Sequence, residues 1–134
     1  EIDKSIKIDL NDNKKDIFLN CDKEQITRVF FNLIKNSIES IHQKTEKNPN
    51  FDKKISIEIV QNNDHIKLIL VDNGIGLKDI KGNIKDILNP YFTTKKNGTG
   101  LGLSIVSKII NDHNGKIEFI PLDEGAKIKI DFIK

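Results

Sequence analysis

Aromatic residues are scarce in this chain of 134 residues: seven phenylalanines, one tyrosine and no tryptophan, 6% in all. Such a chain lacks the stacking platform that holds single-stranded nucleic acid. Excess charge is missing too. Lys and Arg number 22 against 20 Asp and Glu, a formal net charge of +2, so there is no broad basic field for duplex nucleic acid. Cysteine occurs once, at Cys21, which excludes an internal disulfide and fits a reducing compartment such as the cytosol. No catalytic-cysteine motif surrounds Cys21, and it reads as a small hydrophobe. No apolar run is long enough to span a bilayer, and no signal-peptide pattern opens the chain, so no membrane contact is expected of it. Repeats and low-complexity arms are absent. The length matches a common single-domain size, and residues 1–134 read as one domain. Because the chain opens with Glu1 and not Met, a fragment of a longer protein is expected.

What is present has clear periodicity. Residues 5–10 alternate, with Ile6, Ile8 and Leu10 on one face, and predict a strand; Ile17-Phe18-Leu19 predicts a second, short one. Asp22 followed by Gln25 is a capping box for a helix running to about Glu46. Its buried face is Ile26, Val29, Phe30, Leu33, Ile34, Ser37 and Ile41, and Asn48-Pro49-Asn50 ends it. Ile55, Ile57 and Ile59 alternate, then Ile66, Leu68 and Leu70 after an Asn62-Asn63 turn, which predicts a hairpin. Residues 77–99 are poorly periodic. A second helix is predicted over about 100–113, His113-Asn114-Gly115 is a turn, and strands at 116–120 and 126–133 close the chain. This order predicts an α/β two-layer sandwich, a mixed sheet with helices on one face.

Three glycines at alternate positions, Gly98, Gly100 and Gly102, lead into the second helix. A glycine loop opening a helix presents unpaired N–H groups at the positive end of the helix dipole, a ready site for phosphate. Glycines before a helix are also common in plain loops, so the stretch alone does not separate the two readings. Asn32 and Asn36 lie one turn apart on one face of the long helix. Amides there either bond to nearby backbone or serve a ligand, since a neutral amide oxygen can enter a Mg²⁺ shell whose anionic members are phosphates. Asp72 ends a strand beside Gly74 and Gly76. An ionised carboxylate is acceptor-only: it suits the exocyclic amine of adenine and repels the carbonyl of guanine. The plain alternative is an Asp-Asn-Gly turn. Thr93, Thr94 and Lys95 precede the glycine loop, where the lysine reads either as a ligand for a terminal phosphate or as a solvated charge.

Taken as an ordered set, these stretches resemble the ATP-binding catalytic domain of sensor histidine kinases, within the gyrase, chaperone, histidine-kinase and MutL ATPase superfamily. Asn32-Leu33-Ile34-Lys35-Asn36-Ser37 is similar to the N box, Asp72-Asn73-Gly74-Ile75-Gly76 to the first glycine box. Pro90-Tyr91-Phe92-Thr93-Thr94-Lys95 resembles the F box and Gly98-Thr99-Gly100-Leu101-Gly102-Leu103 the second glycine box. The Pro90-Tyr91 form looks most like the nitrogen-regulation branch. The resemblance implies the Bergerat-type ATP-binding fold, with ATP and Mg²⁺ as ligands. It implies that Asn36 holds Mg²⁺ and that Asn32 shapes the same site. It makes Asp72 the acceptor of the adenine amine, with Gly74 and Gly76 making room for the base. Residues 77–99 become a lid, with Thr94 and Lys95 near the terminal phosphate. The backbone of Gly98, Thr99, Gly100, Leu101, Gly102 and Leu103 wraps the phosphates.

Hydrolysing relatives place a glutamate at the position Asn32 matches, as general base for water; an amide cannot take that proton. The resemblance therefore implies a phosphoryl donor, with Asn32, Asn36 and Lys95 as its catalytic residues. The acceptor is a histidine on a dimeric helical-hairpin domain that normally precedes this one, and a response regulator takes part indirectly. None of the three histidines here lies in an acceptor motif, and His113 reads as structural. A cytoplasmic location is implied, with inner-membrane anchoring of the parent left open. Alone, the domain is expected to be monomeric and unable to phosphorylate itself. Three positions depart from the pattern. Glu39 stands where some relatives have a basic residue, Asn114 replaces a common glycine, and Gly125-Ala126 replaces Gly-Thr. An anti-sigma-type serine kinase, or a nucleotide-binding module without transfer activity, are the alternatives.

Overall fold

The computed structural model describes residues 5–11, 18–76 and 102–134. Within them, five strands and two helices follow in the order β1 (Lys7–Asn11), α1 (Lys23–Lys47), β2 (Lys54–Gln61), β3 (His65–Asp72), α2 (Gly102–Asp112), β4 (Gly115–Pro121) and β5 (Ala126–Ile133). The sheet order is β1-β2-β3-β5-β4. Only the β1–β2 pair is parallel; the other three are antiparallel. A parallel pair needs a crossover, and α1 supplies it.

α1 forms where its signals predict. The Asp22 carboxylate accepts from the Gln25 backbone N–H at 3.1 Å, Glu24 sits in the first turn, and Lys44 and Lys47 complement the dipole in the last. Ile26, Val29, Leu33, Ser37 and Ile41 are buried at the three-to-four spacing of one helix face. That face packs on the matching face of the sheet: Ile55 from β2, Ile66, Leu68 and Leu70 from β3, and Ile128, Ile130 and Phe132 from β5. Val106, Ile109 and Ile110 of α2 complete the same core. The opposite face of the sheet carries rows such as Glu58, Ile69, Lys129 and Glu118, one residue per strand in register. Alternating charge there is stable in water and calls for no second helical layer. The two-layer sandwich is thus as predicted, and both hairpins are present.

The strand expected at 17–19 is not formed by Phe18 and Leu19, which lie outside any strand; Ile17 falls outside the described residues. The edge position beside β2 is taken by β1, so this apolar run has no ladder to join. Leu19 packs against the core instead, and Phe18 stays 80% exposed.

His113 joins the two helices. Its Nδ1 bonds the Ile109 carbonyl at 2.8 Å, and its Nε2 accepts the Asp22 backbone N–H at 3.0 Å. The second bond needs a neutral ring with the proton on Nδ1. It ties the end of α2 to the N-cap of α1. The next residue, Asn114, adopts φ 58°, a left-handed conformation that asparagine accepts in place of the common glycine. His113→Ala is expected to lower stability by about 1 kcal/mol, because two hydrogen bonds that tie the end of α2 to the start of α1 go, the freed Asp22 N–H being open to water. A denaturant titration with unchanged slope would show it.

Candidate functional site

Strand alternation carries Leu68, Leu70 and Asp72 onto the same, helix-facing side of β3. A carboxylate therefore lands where the pattern demands an apolar side chain. It is 5% exposed. Its two oxygens are held from two directions: Oδ1 accepts the Gly74 N–H at 2.9 Å, and Oδ2 accepts the Ser37 hydroxyl of α1 at 3.1 Å. Burial pushes the Asp72 carboxyl above the ordinary aspartate value. The Gly74 N–H, the Ser37 hydroxyl and the charge of Lys44 pull it back. Its sheet neighbours are Ile55 on β2 and Ala126 on β5.

The segment after Asp72 is fastened to α1 and to the start of β2. Lys44 donates to the Asn73 carbonyl at 2.9 Å while its ammonium lies 4.4 Å from the centre of the Phe51 ring. The Asn73 side chain accepts the Lys54 N–H at 2.9 Å and donates to the Asp52 carbonyl. The Ile75 N–H reaches both the carbonyl and the hydroxyl of Ser40. Gly74 lies against the backbone of α1: a Cβ on it would come 2.4 Å from Ser40 Oγ and 2.7 Å from the Ile41 nitrogen. On the other side the β4–β5 turn closes in. Gly125 has φ +102°, and a Cβ there would fall 1.9 Å from the Asp72 carbonyl oxygen. A Cβ on Gly76 would in turn meet the Gly125 carbonyl at 2.7 Å.

Of the predicted residues, Asp72, Gly74 and Gly76 are gathered in this neighbourhood. Asn32 and Asn36 are half-buried on one flank of α1, and Ser37, next to Asn36, touches Asp72. Gly102 opens α2 and an added Cβ would meet nothing within 4 Å, while Leu103 packs against the core. Thr94, Lys95, Gly98, Thr99, Gly100 and Leu101 lie outside the described residues. Ser37, Ser40, Lys44 and Gly125 join the site beyond the predicted residues, Gly125 standing out in the sequence only as half of the Gly125-Ala126 departure from the family pattern. Ser37 carried a signal: a serine in the middle of an apolar helix face must find a partner. Ser40, Lys44 and Gly125 carried none that local pattern reveals. What remains chemically is an anchored acceptor-only carboxylate, each oxygen keeping lone-pair capacity after its protein bond.

Residues 21–134 match the family described as histidine kinase-, DNA gyrase B- and HSP90-like ATPase. The chain belongs to that family, and its sandwich is the Bergerat ATP-binding fold. Among curated proteins it is 34% identical over 120 residues to sporulation kinase E of Bacillus subtilis, covering 90% of this chain and 15% of that one. It is 36% identical over 114 residues to a putative NtrY-like sensor histidine kinase of Rickettsia conorii, covering 84% and 18%. NtrY-like kinases thus stand beside sporulation kinases among its relatives. The chain spans a quarter or less of the length of these proteins. Among solved structures, the nucleotide-free catalytic domain of histidine kinase ThkA is 29% identical with a TM-score of 0.79, covering 97% of this chain and 80% of that one. ThkA has also been solved in complex with the response regulator TrrA.

Proposed function

We propose that this domain binds Mg-ATP and delivers the γ-phosphoryl group to a histidine on a separate helical domain of a two-component sensor kinase. The observation that carries the reading is the buried Asp72 carboxylate, anchored by Gly74 and Ser37 at the mouth of β3. A carboxylate kept out of water with no salt-bridge partner among the described residues is costly. Offering an acceptor to an amine gives it a use, and the exocyclic amine of adenine fits. Asn36 on the same helix holds Mg²⁺ against the phosphates, and Asn32 shapes that site. The Asn36 amide oxygen would be a neutral member of a Mg²⁺ shell whose anionic members are the nucleotide's own phosphates. Bound ATP supplies the transferable phosphoryl group; the chain orients it, and Asn32, being an amide, does not deprotonate water. Thr94, Lys95 and the backbone of Gly98 to Leu103 serve the phosphates in this reading.

The similarity to ThkA, solved with a response regulator, supports a response regulator as the partner of the parent protein. Calorimetric titration with Mg-ATP and Mg-GTP, followed by an overnight assay of free phosphate, tests the reading. ATP is expected to bind, GTP to bind much more weakly, and hydrolysis to be barely detectable. Rapid hydrolysis would make the domain an ATPase. Absence of ATP binding would leave a fold without its chemistry.

A further inference from the structure

We propose that Ser37 is a positioning residue for base recognition: its hydroxyl, reaching across from α1, fixes the plane of the Asp72 carboxylate toward the ligand's amine. This rests on the nucleotide reading above and adds a residue to it. An aspartate has one soft torsion left once its backbone and its χ1 rotamer are set, the rotation that turns its two oxygens. The Gly74 N–H, two residues on, holds Oδ1 at 2.9 Å in a local loop. It is one anchor on one oxygen, about which the carboxylate can still turn. Ser37 holds Oδ2 at 3.1 Å from another element, 35 residues away in the chain. Two donors on different oxygens from different elements determine the plane.

Ser37 is itself 2% exposed and sits on the apolar face between Leu33 and Ile41. Alanine would fill that position with less desolvation of polar atoms, so a hydroxyl there needs a partner and has one. It also answers a second need. The carboxylate must be ionised to accept an amine, and burial works against that. Lys44 on α1 is the charged group that favours ionisation, while Ile55 on β2 and Ala126 on β5 are neutral. The Ser37 donor works in the same direction as Lys44.

A role confined to packing would make Ser37→Ala change the melting temperature alone. A positioning role moves binding. Ser37→Ala is expected to weaken ATP binding about tenfold near neutral pH, the value of a hydrogen bond to a charged acceptor. The ATP-over-GTP preference should narrow, since a carboxylate free to turn discriminates less. The ratio of mutant to wild-type Kd should grow as the pH falls, because losing a donor raises the pH at which Asp72 takes up a proton. Titration of the phosphates of ATP is common to both proteins and cancels in the ratio. Ser37→Thr, which keeps the hydroxyl, should restore affinity and pH profile, and Ser37→Cys, a weaker donor of similar size, should fall between. Circular dichroism of each variant establishes that it is folded, and the Thr and Cys variants carry the test if Ala does not fold. Wild-type and hydroxyl-free variants binding ATP alike across pH would overturn the proposal while leaving the nucleotide reading intact. A wild-type domain that binds no ATP would remove both.

Discussion

Asp72→Asn is expected to weaken ATP binding by about a hundredfold or more while leaving the domain folded. The loss is large because a buried acceptor is replaced by an amide whose NH₂ confronts the base's own amine, and donor against donor leaves both unpaired. The fold survives because asparagine keeps both anchors. Its oxygen can accept the Gly74 N–H, and its NH₂ can donate to Ser37, whose hydroxyl turns to accept. Stability should even rise. Burial raises the Asp72 carboxyl above its unfolded value. The native state therefore favours the protonated form, and the stability this group contributes is fullest below the unfolded value. It is lost as the pH rises through the folded one. At neutral pH the carboxylate is thus a cost to the empty domain, which the asparagine lacks. Calorimetry paired with thermal melts at pH 7 reads both effects. Undiminished affinity would show that Asp72 is not the base acceptor, and a lowered melting temperature would show that the anchors were not kept.

Gly125→Ala is expected to be the most damaging single methyl group in the described part of the chain. Two penalties coincide. The backbone there has φ +102°, which a side chain strains, and the new Cβ would fall 1.9 Å from the Asp72 carbonyl oxygen. The obstacle is backbone of a central strand and cannot swing aside. Left-handed strain and overpacking together suggest a loss of about 2–5 kcal/mol. Relief would require the β4–β5 turn to lift from the end of β3, moving the backbone that places Asp72 and Gly74. ATP affinity should then fall together with stability. Denaturant midpoints of Gly125→Ala and of Gly102→Ala make the comparison. At Gly102 the Cβ would meet nothing within 4 Å, and stability should stay within about 0.5 kcal/mol of wild type. Equal stability for the two would mean that the turn is not packed as described.

The two predictions differ in how far local sequence anticipates them. Asp72 stands out in the chain as a carboxylate at the end of an alternating run, followed by glycines. Gly125 looks like any glycine in a hairpin turn. Its importance exists only because β5 pairs with β3 and brings Ala126 opposite Asp72. Ser37 lies between these cases: a polar residue on an apolar face announces that it needs a partner and does not say which.

Local periodicity by itself determined α1 with its Asp22 cap, the two hairpins, α2 and the two-layer class, because helix and strand spacing depends on near neighbours. The order of the motifs determined the family. Only the tertiary structure decided that β1 runs parallel beside β2, leaving Phe18 and Leu19 without a ladder. It alone joined Asp22 to His113, Asp72 to Ser37, and the Asp72 carbonyl to Gly125. Those contacts unite residues far apart in the chain, and which of them meet is settled by how the helix faces and strand edges pack.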